Sequence, residues 1–295
     1  MRAAVCFMLA ASALIAATSL LAKTLGLPTP DQPGLEPFQI SAGRFVFALL
    51  AVSAFILIRP QSRPAFGGAN WRWHLARSVC GWLGVTAMFA AVTRMPIADA
   101  TAISFLSPIV TMGLAVLLLS ERLGIRKIVA AGLALAGAAL ILKPGTDAFQ
   151  VAGFFALAAA GLIGIESIFV KRLSDSEPAL RVLIINNAIG SAVSLSVASA
   201  FWIWPSATQW LLLAVLGTVM VLGQALFIQA MKRGEASLVI PVFYSVLVFA
   251  TLYDFALFGV APHWTAVIGA AFILSGALML AGRDNRAQKP LSADD

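Results

Sequence analysis

A few polar side chains sit in long apolar runs, where water is scarce and each must be there for a reason. Glu166 lies in "GLIGIESIFV" and Asp254 in "LVFATLYDFALFG". A carboxylate at that depth can carry a proton or hold a cationic group; it can also snorkel to the headgroups or pair with Arg77, Arg181 or Arg44. Glu166 is the candidate proton carrier and Asp254 the candidate ligand contact. Arg44 ("SAGRFVF") and Arg77 ("HLARSVC") each lie a few residues inside an apolar run. Arginine forks onto carboxylate or phosphate, so Arg44 can greet an anionic group or simply anchor at the interface. Asn186, Asn187 and Gln224 can bond a ligand or a neighbouring helix. Trp82, Phe89, Phe105, Phe243, Tyr244 and Tyr253 offer rings for stacking. Trp82 stands beside Gly81 and Gly84, which let another backbone approach. Ser107 joins Trp82, Phe105, Asn187, Gln224, Tyr244 and Asp254 as a predicted binding residue. Pro108 and Pro241 interrupt apolar runs and are predicted kinks or gates, because each frees a backbone carbonyl.

Other chemistries lack their parts. There is no HExxH, no Ser–His pair and no Walker A loop. His74 and His263 are the only histidines, and Cys6 and Cys80 the only cysteines. Neither a metal site nor a cofactor is expected, and an intramembrane enzyme is disfavoured.

The elements that must position these residues follow from composition. Hydrophobic residues make up 60% of the 295 and charged ones 11%, against about 25% charged in soluble domains. Such a chain cannot cover a water-facing surface, so the lipid bilayer is its expected partner. Apolar runs predict ten transmembrane helices near 3–23, 38–58, 75–93, 97–119, 125–142, 150–170, 180–203, 208–230, 236–258 and 264–281. The first run follows Arg2 and is about 20 residues long, a spanning helix rather than a cleaved signal. Lys and Arg concentrate in alternate breaks, "RPQSRP", "ERLGIRK", "VKR", "MKR" and "GRDNRAQK". These mark the cytoplasmic side and predict both termini inside. The net charge of +7 therefore reports membrane orientation and gives no reason to invoke nucleic acid.

The chain also echoes itself. "TSLLAK" (18–23) parallels "ESIFVK" (166–171), "FLS" (105–107) parallels "FYS" (243–245), and "LAGAALIL" (135–142) parallels "LSGALMLA" (274–281). The reading is an all-α membrane protein of two five-helix repeats, 1–145 and 146–283, with a cytoplasmic tail over 284–295. An odd number of spans per repeat makes the second half enter from the opposite side. Inverted repeats are a mark of secondary transporters, with the substrate site at the repeat interface.

The stretch "RSVCGWLGVTAMFAAVTRMPIADATAISFLSPIVTMGLAVLLLSERLGIRKIVAAGLALAGAALI" resembles the EamA-type carriers of the drug/metabolite transporter superfamily. Pro96, Ala98, Ala100, Pro108, Glu121, Arg122 and Leu123 carry the likeness. The second half departs from it: Gly259 stands where the family repeats an acidic residue, and Asp254 appears about a turn earlier. The resemblance implies a carrier of small metabolites such as amino acids, vitamins or nucleotide-like compounds. The expected cargo has an aromatic moiety, because of the cavity aromatics. The expected place is the bacterial inner membrane, and a monomer suffices, though a homo-oligomer is compatible. A non-transporting sensor or assembly subunit is the rival reading.

Overall fold

The structure, a computed structural model, describes residues 2–30, 32–107, 110, 125–142, 151–174, 176–233, 242–243 and 245–281. Ten α-helical segments lie among them: α1 (Arg2–Gly26), α2 (Pro37–Ile58), α3 (Trp71–Val92), α4 (Ile97–Ser104), α5 (Ile125–Leu142), α6 (Val151–Ser174), α7 (Ala179–Ala198), α8 (Ala207–Arg233), α9 (Ser245–Phe258) and α10 (Trp264–Ala281). Each falls on one of the ten apolar runs. Six of them, α1, α2, α3, α6, α7 and α8, are long and apolar enough to cross a membrane; α9 and α10 hold shorter apolar stretches. The described part of α4 covers only the start of its run. Among the described residues there is no strand, only an isolated antiparallel bridge between Thr29 and Gln32. Pro108, Pro241, Tyr244, Glu121 and the tail over 284–295 lie outside the described residues.

Proline marks several helix starts, where a fixed φ and a missing N–H are harmless. Pro37 opens α2, and Pro96 and Pro178 immediately precede α4 and α7. α3 starts at Trp71, four residues before the position near 75 that the apolar run predicts. Its polar first turn is held by contacts that hydropathy does not see, described below.

Packing follows the repeat. α1 packs on α8 and α3 on α6; α2 packs on α8 and α3 on α7; α1 packs on α9 and α4 on α6. α2 meets α7, α4 meets α9 and α5 meets α10. Exchanging the first five helices for the last five turns each of these pairs into itself or into another of them. Small residues let the pairs come close, as packing in lipid requires. A Cβ on Gly81 of α3 would meet the Glu166 carboxyl of α6 at 2.9 Å, and one on Gly137 of α5 would strike the backbone of Gly269 on α10. The centre is filled by Ile40, Phe45, Ile97, Ile103, Leu213, Leu216 and Ile273, all fully buried. Leu57, Ile58, Leu211, Leu222 and Phe255 are exposed outside, an apolar surface suited to lipid and not to water.

Candidate functional site

A cavity of about 230 Å³ lies where the two sets of helices meet. The first half lines it with Ile15, Ala16, Thr18 and Ser19 of α1, Arg44 of α2, Val85, Met88 and Phe89 of α3, and Thr101, Ser104, Phe105 and Ser107. The second half adds Ile163 of α6, Met220 of α8, Phe243, and Val246 of α9. An apolar wall with a few polar groups is the usual make-up of a small-molecule pocket. Two of those groups have directed hydrogens: Thr18 Oγ1 donates to the Ile15 carbonyl at 2.7 Å, and Ser104 Oγ to the Thr101 carbonyl at 2.7 Å. Both oxygens thus keep acceptor capacity for something in the cavity.

Next to the cavity is a charged trio on three helices. Arg77 Nη2 lies 3.6 Å from Glu166 Oε1, and Arg77 Nη1 donates to the Val182 carbonyl at 3.5 Å. The Glu166 carboxylate attracts Arg44 as well as Arg77. Arg44 itself is only 4% exposed and lies 4.2 Å over the Phe45 ring.

The predicted binding residues divide. Phe105 and Ser107 border the cavity, and so does Phe243. Trp82 is buried but is not among the lining residues; its indole N–H donates to Ser41 Oγ at 3.2 Å, and Thr86 Oγ1 donates to the same oxygen at 3.0 Å. That trio ties α3 to α2. Asn187 Nδ2 donates to the Leu183 carbonyl of its own helix at 2.9 Å, and Gln224 is half-buried on α8. Asp254 lies away from the cavity, in a tie at the ends of three helices. Its Oδ1 is 2.7 Å from Lys23 Nζ of α1, and its Oδ2 accepts from the Ala98 N–H of α4 at 3.0 Å. Lys23 also sits 4.4 Å over the Phe258 ring. The carboxylate caps the start of α4 and neutralises the cation, so a charge buried at 1% exposure is fully matched.

Sequence reasoning passed over Lys23 as a partner, and over two tethers between helix starts and loops. In one, Glu177 accepts from the Asn70 N–H at 3.0 Å, meets His74 Nε2 at 2.8 Å and lies 3.6 Å from Arg181 Nη1. Burial pushes this carboxyl up, but the Asn70 amide, the His74 bond and charge, and the Arg181 charge more than reverse it. The net direction is below the ordinary carboxylate value. In the other, Ser206 Oγ donates to Gln32 Oε1 at 2.7 Å and Gln209 Nε2 to the Pro33 carbonyl at 3.0 Å. Ser206 and Gln209 also exchange bonds as a capping box at the start of α8. The pattern "SATQ" was visible in the sequence.

Comparison with known proteins decides what this architecture is. The model of the EamA-like transporter family matches residues 2–143 and again 150–282. The chain belongs to the EamA-like transporter family. Each matched segment of this EamA-like chain holds five of the ten described helices. It is 26% identical over 86% of its length to a Rickettsia felis protein named S-adenosylmethionine uptake transporter, covering 85% of that protein. It is 26% identical over 82% of its length to the riboflavin transporter of Vibrio cholerae, again covering 82%. A crystal structure of a protein 24% identical in sequence superposes with a TM-score of 0.60, over 92% of this chain and 98% of that one. The likeness to the solved structure concerns the fold alone. Family and composition together make this EamA-like chain a multi-pass membrane protein.

Proposed function

We propose that the chain is a secondary carrier of a small organic metabolite, working by alternating access in the bacterial inner membrane. The observation that carries this is the central cavity lined by both matched segments, whose helices pack in pairs that survive exchange of the halves. In this reading residues 1–145 and 146–283 are inverted repeats, and both termini are cytoplasmic. If one half can close the site toward one face, its inverted twin can close it toward the other at similar energy. The charge bias of the loops supports the orientation.

The two named relatives carry S-adenosylmethionine and riboflavin, both built around heteroaromatic rings. They support a cargo with an aromatic moiety, which Phe89, Phe105 and Phe243 would face. Ser107, Ser104 and Thr101 supply polar contacts. Glu166 is the proposed proton carrier, because it is a carboxyl inside a spanning helix beside the cavity, where it can exchange its Arg77 contact for a proton. The Lys23–Asp254–Ala98 tie joins α1, α9 and α4 at the ends that this orientation puts outside. It acts as the outer gate, and opening outward must part it.

The test is solute counterflow in proteoliposomes of the full chain, after a thermal-stabilisation screen against a metabolite library. A stabilising metabolite that exchanges across the vesicle supports the carrier. A metabolite that stabilises the protein but never crosses would favour the sensor reading instead.

A further inference from the structure

We propose that Arg44 anchors a carboxylate of the cargo, so that the carried metabolite is a monoanionic acid at the end it presents to α2. This deepens the carrier reading and rests on it. Arg44 reaches the cavity wall from α2 and is buried. Among the described residues its guanidinium has no hydrogen-bond or ion-pair partner; its close neighbour is the Phe45 ring. Arg77 differs, since it holds both Glu166 and the Val182 carbonyl. The Glu166 carboxylate pairs with Arg77 and acts on Arg44 only at longer range, so while Glu166 is ionised the excess positive charge belongs to the arginine that borders the cavity. An unmatched buried charge is costly, and charges at membrane depth belong to pathways or pairs. A planar fork of donors fits a carboxylate in two parallel bonds.

The rest of the wall completes the selection. Thr18 and Ser104 have already donated their hydroxyl hydrogens to carbonyls of their own helices. They face the cavity as acceptors, suited to an N–H on the cargo. Arg44 is therefore the charged donor and the hydroxyls are acceptors, the complement of a carboxylate with a nearby N–H. One excess positive charge matches a carboxylate, whereas a phosphate monoester brings about −1.5 to −2 and would leave the site negative. The apolar remainder, Val85, Met88 and Phe89, receives the uncharged part.

The experiment is counterflow in proteoliposomes of the full chain. The probes are S-adenosylmethionine, the common amino acids, riboflavin and riboflavin 5′-phosphate, and each accepted acid is paired with its carboxamide. The expected result is an accepted carboxylate whose amide binds about tenfold to a hundredfold more weakly. Arg44→Gln should erase that acid-over-amide preference, with the protein still monodisperse. Should Arg44→Gln fail to fold, Arg44→Lys decides: charge without the fork should lower the preference several-fold. An unchanged preference in either folded variant overturns the proposal, as does a wild type that accepts only riboflavin or its phosphate. No flux of any of these probes, nor of any metabolite that stabilises the wild type, would bring down the carrier reading itself, a different outcome from flux indifferent to Arg44.

Discussion

The starts of α3 and α8 are equivalent under exchange of the halves, yet they are held by different chemistry. Each is tied to the loop between the first two helices of the other half. At α3 the tie is ionic: Glu177 gathers the Asn70 amide, His74 and Arg181. At α8 it is neutral: Ser206 and Gln209 cap the helix and reach Gln32 and Pro33. The same geometry is thus met once by charge and once by amides and hydroxyls. The difference teaches that the two matched segments share the need for a tether at this helix start and leave its composition free. A charged tether is strong only while the Glu177 carboxylate is present and ionised; a neutral one is weaker and indifferent to pH.

The sharpest way to break the comparison is to empty the ionic tether. Glu177→Ala leaves the buried His74 and the half-buried Arg181 without their acceptor, and should cost about 3 kcal/mol. Thermal unfolding of the purified protein in detergent reads this as a marked loss. Gln209→Ala removes one capping bond and the bond to Pro33, so it should cost about 1–2 kcal/mol by the same measurement. Equal losses at the two sites would erase the distinction.

Acid gives the smallest and most selective effect. The Glu177 carboxyl titrates below its ordinary value of 4.5 when folded. Its contribution is therefore complete above that value and disappears as pH falls through the lower folded one. Amide exchange at Asn70 and Trp71, corrected for intrinsic rate, should accelerate as pH drops below about 4.5. Exchange at Ser206 and Gln209 should not. Glu177→Gln should make the α3 end as insensitive to pH as the α8 end.

Much of the scaffold was legible in the sequence. The apolar runs mark every described helix, the prolines mark the starts of α2, α4 and α7, and the repeated phrases anticipate the paired packing. The site was legible only in part. α3 is apolar over most of its circumference, so no periodicity tells which face Trp82 occupies; helix rotation, set by the Ser41 and Thr86 bonds, decides it. Lys23 and Asp254 stand 231 positions apart and meet only because α1 packs on α9 across the halves. Arg44 left two readings open, interface anchor or anion contact, because depth along a helix does not say what the side chain points at. The Ser206 capping box was readable from spacing alone and needed only to be looked for.

The central claim is that one cavity is reached from both faces in turn. With Cys6 and Cys80 replaced by alanine, a single Ser104→Cys places a thiol in the cavity wall. A membrane-impermeant thiol reagent is then applied to oriented vesicles from one side or the other. The account predicts labelling from both sides, slowed by a transported metabolite from either. Labelling from one side only, whatever metabolite is present, would contradict it.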